Sequence, residues 1–200
     1  MERLLNKEMI IDIPGNSSWS FEKGFNPDTC KTILDTAADN FIDVGMNPVT
    51  ASHSYKNMRT GNNFFDNQQF VYDLVWSFMT TANEQAEWDF EISSAESYQI
   101  SKYEVGDFHK QHIDGVGTEG EKMIDPTKEN LHNKVRKLSM IVNLNDDFEG
   151  GDLILYNDGL IKQNKGCITF FPSYLLHEIT PVTKGTRYSL SMWFLGKPFK

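Results

Sequence analysis

The sequence is short of cysteine, of basic residues and of long apolar runs. Cys30 and Cys167 are the only two cysteines in 200 residues, and they lie far apart in apolar patterns. We therefore expect two buried free thiols and no disulfide framework. The first residues contain no apolar leader segment, and no window is long enough to cross a bilayer. These absences predict a cytoplasmic protein without membrane contact.

Basic residues are outnumbered, with 19 Lys and Arg against 28 Asp and Glu, which gives a formal net charge of −9. Nonspecific binding to nucleic acid depends on Lys and Arg neutralising phosphates, so nucleic acid is not an expected partner. Hydrophobic residues make up 39% of the chain, as in ordinary globular proteins. The length predicts one domain over residues 1–200, with helical support mostly in residues 1–90 and a β-rich core in about residues 91–200.

Two stretches in the first half carry the apolar spacing of amphipathic helices. The first follows Asn26, a good N-cap, and should end between residues 40 and 45. The second begins near Asp66 or Asn67, and its broad apolar stripe should face a sheet. The polar residues 46–65 between them predict a loop with one short strand at most. Trp19 and Phe21 are also placed in a loop.

Short apolar or alternating segments bounded by turn residues predict strands. They are residues 9–13, 88–92, 98–104, 137–144, 152–156, 161–164 and 167–171, with a hairpin turn at residues 157–159. Successive short strands of this kind predict a jelly roll, so the expected fold class is mainly β with flanking helices, an α+β arrangement. Residues 115–133 are charged and without periodicity, so they are either disordered or a lid over a site, and we favour the lid.

A histidine and a carboxylate stand two residues apart in His112-Ile113-Asp114. On an extended segment both point from one face, which makes a metal chelate. Alone the tripeptide is weak evidence, because it arises by chance. His177 is the best third ligand, and two histidines with one carboxylate describe a non-haem Fe(II) site, whereas the four ligands of a structural zinc site are absent. His109 lies at an odd offset from His112, so we expect it on the opposite face and not as a ligand.

Residues 187–195 alternate with period two and predict a strand. One face carries Arg187, Ser189, Ser191 and Trp193, and the other face is apolar. A guanidinium aimed into a barrel needs a carboxylate partner to offset its desolvation. A dicarboxylic ligand would provide one.

Several motifs then occur in a consistent order along the second half of the chain. They are Tyr103-x-x-Gly106, His112-x-Asp114, the run FEGGDL from Phe148 to Leu153, and His177 followed by Pro181-Val182, Gly185 and Arg187-x-Ser189. Together they resemble the prolyl 4-hydroxylase-like branch of the Fe(II)/2-oxoglutarate-dependent oxygenases, over about residues 98–194. The resemblance implies a double-stranded β-helix that holds Fe(II), takes 2-oxoglutarate as cosubstrate and uses O2. Ascorbate is a candidate reductant.

The resemblance also implies roles for the polar residues of the barrel. His112, Asp114 and His177 would hold the iron. Arg187 would pair with the distal carboxylate of 2-oxoglutarate, assisted by Ser189 and Tyr103. The alternative for Tyr103 is a buried tyrosine whose hydroxyl bonds to backbone.

Substrate contacts are implied at three positions. Residues 46–65 correspond to a region that forms a mobile flap over the substrate in prolyl 4-hydroxylase-like enzymes, so the resemblance makes Tyr55 and Arg59 candidate substrate contacts. The alternative is a surface loop with snorkelling side chains. Trp193 shares a face with Arg187 and would either wall the site or fill the core.

The implied function is hydroxylation of a C–H bond, with succinate and CO2 as coproducts. The resemblance favours a prolyl residue in a peptide or protein substrate, which two flanking loops could clamp. Two alternatives stay open: a hydroxylase of a free metabolite or amino acid, and a non-catalytic cupin-like barrel that binds a metal or ligand. The intact Arg187-x-Ser189 anchor argues against the second. No further arginine follows Arg187, which argues against a nucleic-acid demethylase.

Overall fold

A computed structural model of the chain describes residues 16–37, 40–43, 59–123 and 130–199. Two α-helices occur in these ranges, α1 at Pro27–Ala37 and α2 at Gln69–Gln85. The strands are β1 Trp19–Phe21, β2 Ile42–Asp43, β3 Asn62–Asp66, β4 Ser94–Ala95, β5 Tyr98–Tyr103, β6 His109–His112, β7 Val135–Asn143, β8 Phe148–Gly150, β9 Leu153–Leu155, β10 Gly159–Ile161, β11 Ile168–Pro172, β12 His177–Ile179, β13 Val182–Gly185 and β14 Arg187–Gly196.

Helix α1 begins where the sequence predicts. The backbone N–H of Thr29 donates to Asn26 Oδ1 at 2.8 Å, so Asn26 caps one of the free amides of the first turn. The buried face carries Cys30, Ile33 and Ala37. The assigned helix ends at Ala37, earlier than the predicted residues 40–45.

Helix α2 begins at Gln69, two to three residues after the predicted start, because Asp66 belongs to strand β3. Its N-cap, Gln68, makes no side-chain capping bond, so packing holds the helix in place. The buried stripe is Val71, Val75, Met79 and Ala82. Leu74 was predicted to share this stripe, but it is 37% exposed.

The strands form two facing sheets and a short ribbon, with every described pairing antiparallel. The large sheet has the order β1-β11-β7-β14-β5-β3-β2, with β4 added beside β14. The small sheet has the order β10-β9-β12-β6, and β13 pairs with β8. The helices lie against the outer face of the large sheet. This arrangement is the predicted jelly roll with flanking helices.

Successive side chains of strand β14 point to opposite faces of the large sheet. Leu190, Met192 and Phe194 belong to the core under the helices. Ser189, Ser191 and Trp193 line a cavity on the opposite side. The period-two prediction for residues 187–195 is therefore confirmed, and it decides which side chains can reach a ligand. A smaller apolar cluster joins the two sheets beside that cavity, formed by Ile141, Leu153, Leu155, Phe171, Leu175 and Ile179.

Three local predictions differ from the structure, and the first is the strand predicted at residues 161–164, which lies earlier in the chain as β10 at Gly159–Ile161. Trp19 and Phe21 lie in edge strand β1, paired with Phe170 and Ile168, because the edge of the large sheet offers a partner that the local sequence does not reveal. Residues 88–92 form no strand: Glu87 and Asp89 have positive φ, and the indole N–H of Trp88 donates to Asn16 O. The aromatic residues there pack without joining a ladder. The predicted strand at residues 9–13 lies outside the described residues.

The segment after Asp114 is partly structured. Glu119–Glu121 form a 3-10 turn, and Glu121 Oε2 accepts from the amides of Val116 and Gly117 at 2.7 and 2.8 Å. Gly117 O accepts from the amide of Phe199 at 2.8 Å, which ties the segment to the end of the chain. Residues 124–129 lie outside the described ranges. The lid stays a prediction.

The expectation for the two cysteines agrees with the structure. Cys30 and Cys167 are both buried free thiols, as predicted. In the part of the chain that the structure describes, no helix is both long and apolar enough to cross a membrane.

Strands β1, β2 and β3 all come from the first 90 residues and extend the large sheet. This half of the chain therefore contributes strands as well as helices.

Candidate metal centre

His112, Asp114 and His177 converge at one point, and one ligand atom from each lies within 4.8 Å of the others. Strand pairing explains the convergence, since His177 of β12 stands directly opposite His112 of β6. The two carboxylate oxygens of Asp114 divide between the rings: Oδ1 is 3.6 Å from His112 Nε2, and Oδ2 is 3.6 Å from His177 Nε2. His112 and His177, which are 65 positions apart in sequence, thus present their imidazole nitrogens to the same space as the carboxylate of Asp114.

The backbone sets the orientation of both imidazoles. Nδ1 of His112 lies 2.7 Å from Lys110 O, and Nδ1 of His177 lies 2.9 Å from Leu175 O. A carbonyl oxygen only accepts, so each Nδ1 carries the proton and each Nε2 keeps its lone pair. Both lone pairs are therefore available to a cation. Hydrogen bonding of the distal ring nitrogen is the usual way in which proteins orient metal-binding histidines.

Asp114 is held from three sides. Its amide donates to Ser173 O at 2.9 Å, Ser139 Oγ donates to Oδ2 at 2.6 Å, and its own carbonyl accepts from Arg136 at 3.3 Å. Burial by itself would raise the pKa of the carboxyl, but the neighbouring imidazoles of His112 and His177 and the positive charge of Arg136 hold that pKa below its ordinary value. The side chain is thus a carboxylate at neutral pH.

The donor set fits Fe(II) of the oxygenase type. Two neutral imidazoles and one carboxylate bind one side of an octahedral ion and leave its other positions for ligands. Burial lowers the pKa of the His177 ring, which keeps it in the neutral, metal-binding form. Both cysteines are buried but outside the ligand group, so the group offers no thiolate and does not match a closed structural zinc site.

His109 does not lie where the odd offset placed it. The register between β6 and β12 shifts: His112 faces His177 and His109 faces Ile179, so a sequence interval of three in β6 is matched to an interval of two in β12. This bulge turns His109 towards the cavity, where its ring stacks on His112 with centroids 3.6 Å apart. The prediction of an opposite face was therefore wrong. His109 is nevertheless not part of the three-residue ligand group.

The ligand group opens into a cavity between the two sheets, with about 420 Å³ of empty space that includes space open to solvent. The lining combines cationic, amide, imidazole, hydroxyl and apolar side chains: Arg59, Gln99, Tyr103, His109, His112, Asp114, Met140, Ile141, His177, Ile179, Ser189, Ser191 and Trp193.

Arg187 lies behind this lining and is 1% exposed. It stands opposite Tyr103 in the pairing of β14 with β5, and its Nη1 donates to Ser189 Oγ at 3.0 Å. Gln163 Oε1, 3.5 Å from Nη2, is a further partner that nothing in the sequence indicated. Burial lowers the pKa of the guanidinium to about 10, so Arg187 is charged at neutral pH without an acidic partner among the described residues.

Two of the three residues predicted to contact the substrate line the cavity. Arg59 is 4% exposed and lines the cavity, so the surface-loop alternative for this residue was wrong. Trp193 also lines the cavity, and Arg136 stacks on its ring at 4.1 Å. Glu96 accepts two hydrogen bonds from Arg136, at 2.5 and 2.7 Å, which fixes that stack. Tyr55 lies outside the described residues.

Comparison with known proteins places this architecture. The sequence profile of the 2OG-Fe(II) oxygenase superfamily matches residues 98–195. PKHD-type hydroxylases are similar: one from Shewanella oneidensis is 30% identical over 97 residues, covering 47% of this chain and 40% of that protein. One from Idiomarina loihiensis is 30% identical over 100 residues, covering 47% and 39%. The chain thus aligns with about two fifths of the length of these curated relatives.

Solved structures share the fold over most of the chain. The viral collagen prolyl hydroxylase of Paramecium bursaria Chlorella virus-1 superposes with a TM-score of 0.67 at 16% identity, covering 92% of this chain and 99% of that one. A Pseudomonas putida prolyl-4-hydroxylase gives a TM-score of 0.63 at 18% identity, covering 89% and 91%. A prolyl hydroxylase from Trichoplax adhaerens, solved with a hypoxia inducible factor peptide, gives 0.65 at 16% identity, covering 90% and 83%. By its profile match, the part of the chain from residue 98 to residue 195 belongs to the 2OG-Fe(II) oxygenase superfamily, and it contains all three residues of the ligand group.

Proposed function

We propose that this protein is a 2-oxoglutarate-dependent dioxygenase that hydroxylates a C–H bond, with a prolyl residue of a peptide or protein as the substrate and succinate and CO2 as coproducts. The convergence of His112, Asp114 and His177 on the cavity carries this proposal. The prolyl assignment is supported by the fold shared with prolyl hydroxylases, and hydroxylation by the name of the PKHD-type hydroxylases.

The position of each residue in the cavity supports a separate proposed role. His112, Asp114 and His177 would hold Fe(II), and the bound iron with 2-oxoglutarate and O2 supplies the oxidising chemistry. Arg187, 3.0 Å from Ser189 and beside Tyr103, would bind the distal carboxylate of 2-oxoglutarate. No side chain is required to act as a general base.

Apolar residues would protect this chemistry from water. Ile141 and Ile179 line the cavity and belong to the apolar cluster that joins the two sheets. Their burial limits water near the ligand group, which strengthens the pairing of Arg187 with a carboxylate.

A peptide substrate has a surface that could receive it. Trp193, with Arg136 stacked on it, presents an aromatic face to the cavity, and an extended chain could lie across this pair. Trp193, Arg59 and Tyr55 are the proposed substrate contacts. A cytoplasmic location and ascorbate as reductant complete the proposal.

The deciding experiment measures coupled succinate formation. Purified protein is loaded anaerobically with Fe(II) and 2-oxoglutarate, exposed to oxygen, and assayed for succinate with and without proline-containing peptides. We expect iron-dependent succinate that increases with a suitable peptide. Succinate without peptide stimulation would contradict the peptide substrate and favour a free metabolite. No succinate at all would favour a ligand-binding barrel.

His112→Ala is the matched test of the metal site. Loss of one of three ligands should abolish iron binding and turnover together. Retained iron with full activity would refute the assignment. Lys31→Ala, which alters an exposed ion pair on α1, should leave both unchanged.

A further inference from the structure

Arg59 is a buried guanidinium in the same cavity as the metal ligands. It is 4% exposed, and its Nη2 donates to Asn63 Oδ1 at 2.5 Å and to Ser101 Oγ at 2.7 Å. With the Gln99 amide turned so that its oxygen faces the guanidinium, that oxygen accepts at 3.0 and 2.9 Å. Among the described residues, no carboxylate lies within ion-pair distance of Arg59.

Neutral oxygens do not compensate a buried charge. Nε of Arg59 is buried and has no hydrogen-bond partner, so the protein leaves the guanidinium incompletely satisfied. Burying a charge is costly unless an opposite charge offsets the lost hydration. Since Arg59 lines the cavity, an anion that enters it can provide the missing partner.

A second guanidinium lies close by. The guanidinium carbons of Arg59 and Arg187 lie 5.5 and 5.7 Å from the centre of the Tyr103 ring. Two like charges in a low-dielectric interior repel each other, and a single carboxylate neutralises only one of them. If Arg187 takes the distal carboxylate of 2-oxoglutarate, the positive charge of Arg59 remains for another ligand.

The guanidinium is also held in place before any ligand arrives. Asn63 and Ser101 lie on adjacent strands β3 and β5, paired in register, and both accept from Arg59. The backbone of Arg59 is bridged to His109, which brings the residue beside the metal ligands. A fixed planar fork of donors is suited to a carboxylate, and its rigidity reduces the entropy lost on binding.

We propose that Arg59 binds a carboxylate of the substrate that is oxidised, so that the substrate carries a carboxylate near the target C–H bond. The proposal rests on the proposed function, because it takes Arg187 as the anchor of the cosubstrate. The carboxylate has three sources of the same chemistry: a free amino acid, the C-terminus of a peptide, or an acidic side chain next to the target residue.

The test compares each acid with its amide on protein that cannot turn over. Protein loaded with Zn(II) and N-oxalylglycine, an unreactive analogue of 2-oxoglutarate, is titrated by calorimetry. The probe pairs are L-proline and L-prolinamide, Gly-Pro and its amide, and C-terminally amidated Gly-Pro-Glu and Gly-Pro-Gln. We expect the acid of at least one pair to bind about tenfold or more tightly than its amide, and the pair that responds identifies the source.

Variants of Arg59 test whether this residue causes the difference in affinity between each acid and its amide. Arg59→Gln should remove the preference for the acid, and Arg59→Lys should keep part of it. Lys184→Gln removes a positive charge from an exposed ion pair with Glu149 and should keep the full preference. If Arg59→Gln does not fold, the comparison of acid with amide in the unaltered protein and in Arg59→Lys still decides.

Three results would overturn the proposal: no preference for the acid in any pair, an unchanged preference in Arg59→Gln, or a loss of N-oxalylglycine binding in Arg59→Gln as large as the loss of acid binding. The last result would assign Arg59 to the cosubstrate. Failure of the unaltered protein to bind Zn(II) or N-oxalylglycine would instead overturn the proposed function and remove the ground for this inference.

Discussion

At the scale of single residues, the ligand group depends on two backbone carbonyls. Lys110 O and Leu175 O each lie two residues before a histidine and each bind its Nδ1. Because the acceptors are main-chain atoms, the side chains at these positions do not determine the tautomer. The sequence thus shows the metal-binding histidines but not what orients them, which only the local backbone conformation decides.

Replacement of Arg187 by Met should separate cosubstrate binding from metal binding. The variant loses the charge-assisted partner of a buried carboxylate, so the Kd for 2-oxoglutarate should rise roughly 100-fold while iron content stays the same. Ser189→Ala removes only the neighbouring hydroxyl and should cost several-fold. Calorimetry with 2-oxoglutarate and metal analysis measure both quantities. An unchanged Kd would move the carboxylate anchor elsewhere, with Arg59 as the next candidate.

Lys137 predicts a pH dependence of stability away from the metal site. It is 4% exposed and its Nζ lies over the Phe199 ring. Burial lowers its pKa from 10.5 to about 8, and Glu91 opposes the shift. Between about pH 8 and 10.5 the unfolded chain keeps a proton that the folded protein has lost, so this group's contribution to the free energy of unfolding increases with pH in that window.

Lys137→Met isolates this effect. We compare the free energy of unfolding of the unaltered protein with that of Lys137→Met at each pH. The difference, unaltered protein minus variant, should rise by roughly 1 to 3 kcal/mol from pH 7.5 to 10.5, because one pKa unit corresponds to about 1.4 kcal/mol. Denaturant titrations at several pH values measure it. Burial raises the pKa values of Cys30, Cys167 and Tyr98, so these groups also contribute to the pH dependence, and their contributions cancel in the difference. A difference that is flat with pH would contradict the lowered pKa.

At the scale of elements, the turn between β8 and β9 places Arg187. Gly151 has φ +63°, and a Cβ built on it would lie 2.8 Å from Arg187 Cδ and 3.0 Å from Val182 Cγ2. The glycine therefore serves a close approach as well as the turn. This gives the FEGGDL run a physical reason, since a side chain at that position would displace the guanidinium.

Gly151→Ala should destabilise the protein and weaken 2-oxoglutarate binding together. Gly159→Ala is the matched control, because Gly159 also has positive φ, +80°, but nothing lies within 4 Å of its built Cβ. Both variants should lose about 1 kcal/mol from backbone strain. Only Gly151→Ala should lose more stability and raise the Kd for 2-oxoglutarate. Equal effects in the two variants would mean that the turn does not position Arg187.

At the scale of the whole molecule, the candidate metal centre joins the two sheets. His112 and His177 belong to the small sheet, whereas Asp114 is bound by Ser139 of strand β7 in the large sheet. Ser139 is 1% exposed, so this connection lies inside the core. A cation bound by all three ligands would therefore link the two faces of the jelly roll, and its binding energy would stabilise the complete fold.

Metal binding should accordingly raise the melting temperature. At a free Mn(II) concentration 100 times its Kd, binding adds about 2.7 kcal/mol, which corresponds to roughly 5 to 10 °C for a domain of this size. Mn(II) is chosen because it avoids oxidation during the scan. His177→Ala should remove the shift. A shift that persists in this variant would show that the ion binds elsewhere.

Prediction from sequence succeeded where local pattern and burial agree. The alternation in residues 187–195 placed Ser189, Ser191 and Trp193 on the cavity side, and the capping residue Asn26 located the start of α1. It failed at His109, where a bulge in β6 reverses the face, and at Trp19, where a distant edge strand supplies the partner. In both cases the deciding interaction is a pairing between segments far apart in the chain.

The sequence by itself determined the chemistry that this protein has available: a histidine and a carboxylate two residues apart, a second histidine after a strand, and an arginine at the start of an alternating strand. Side-chain type and period are local properties, so they can be identified without a partner. Only the tertiary structure decided that Arg59 is buried beside Tyr103 and that Gln163 reaches Arg187. Burial and charge pairing depend on which distant segments enclose a residue, and no local pattern contains that information.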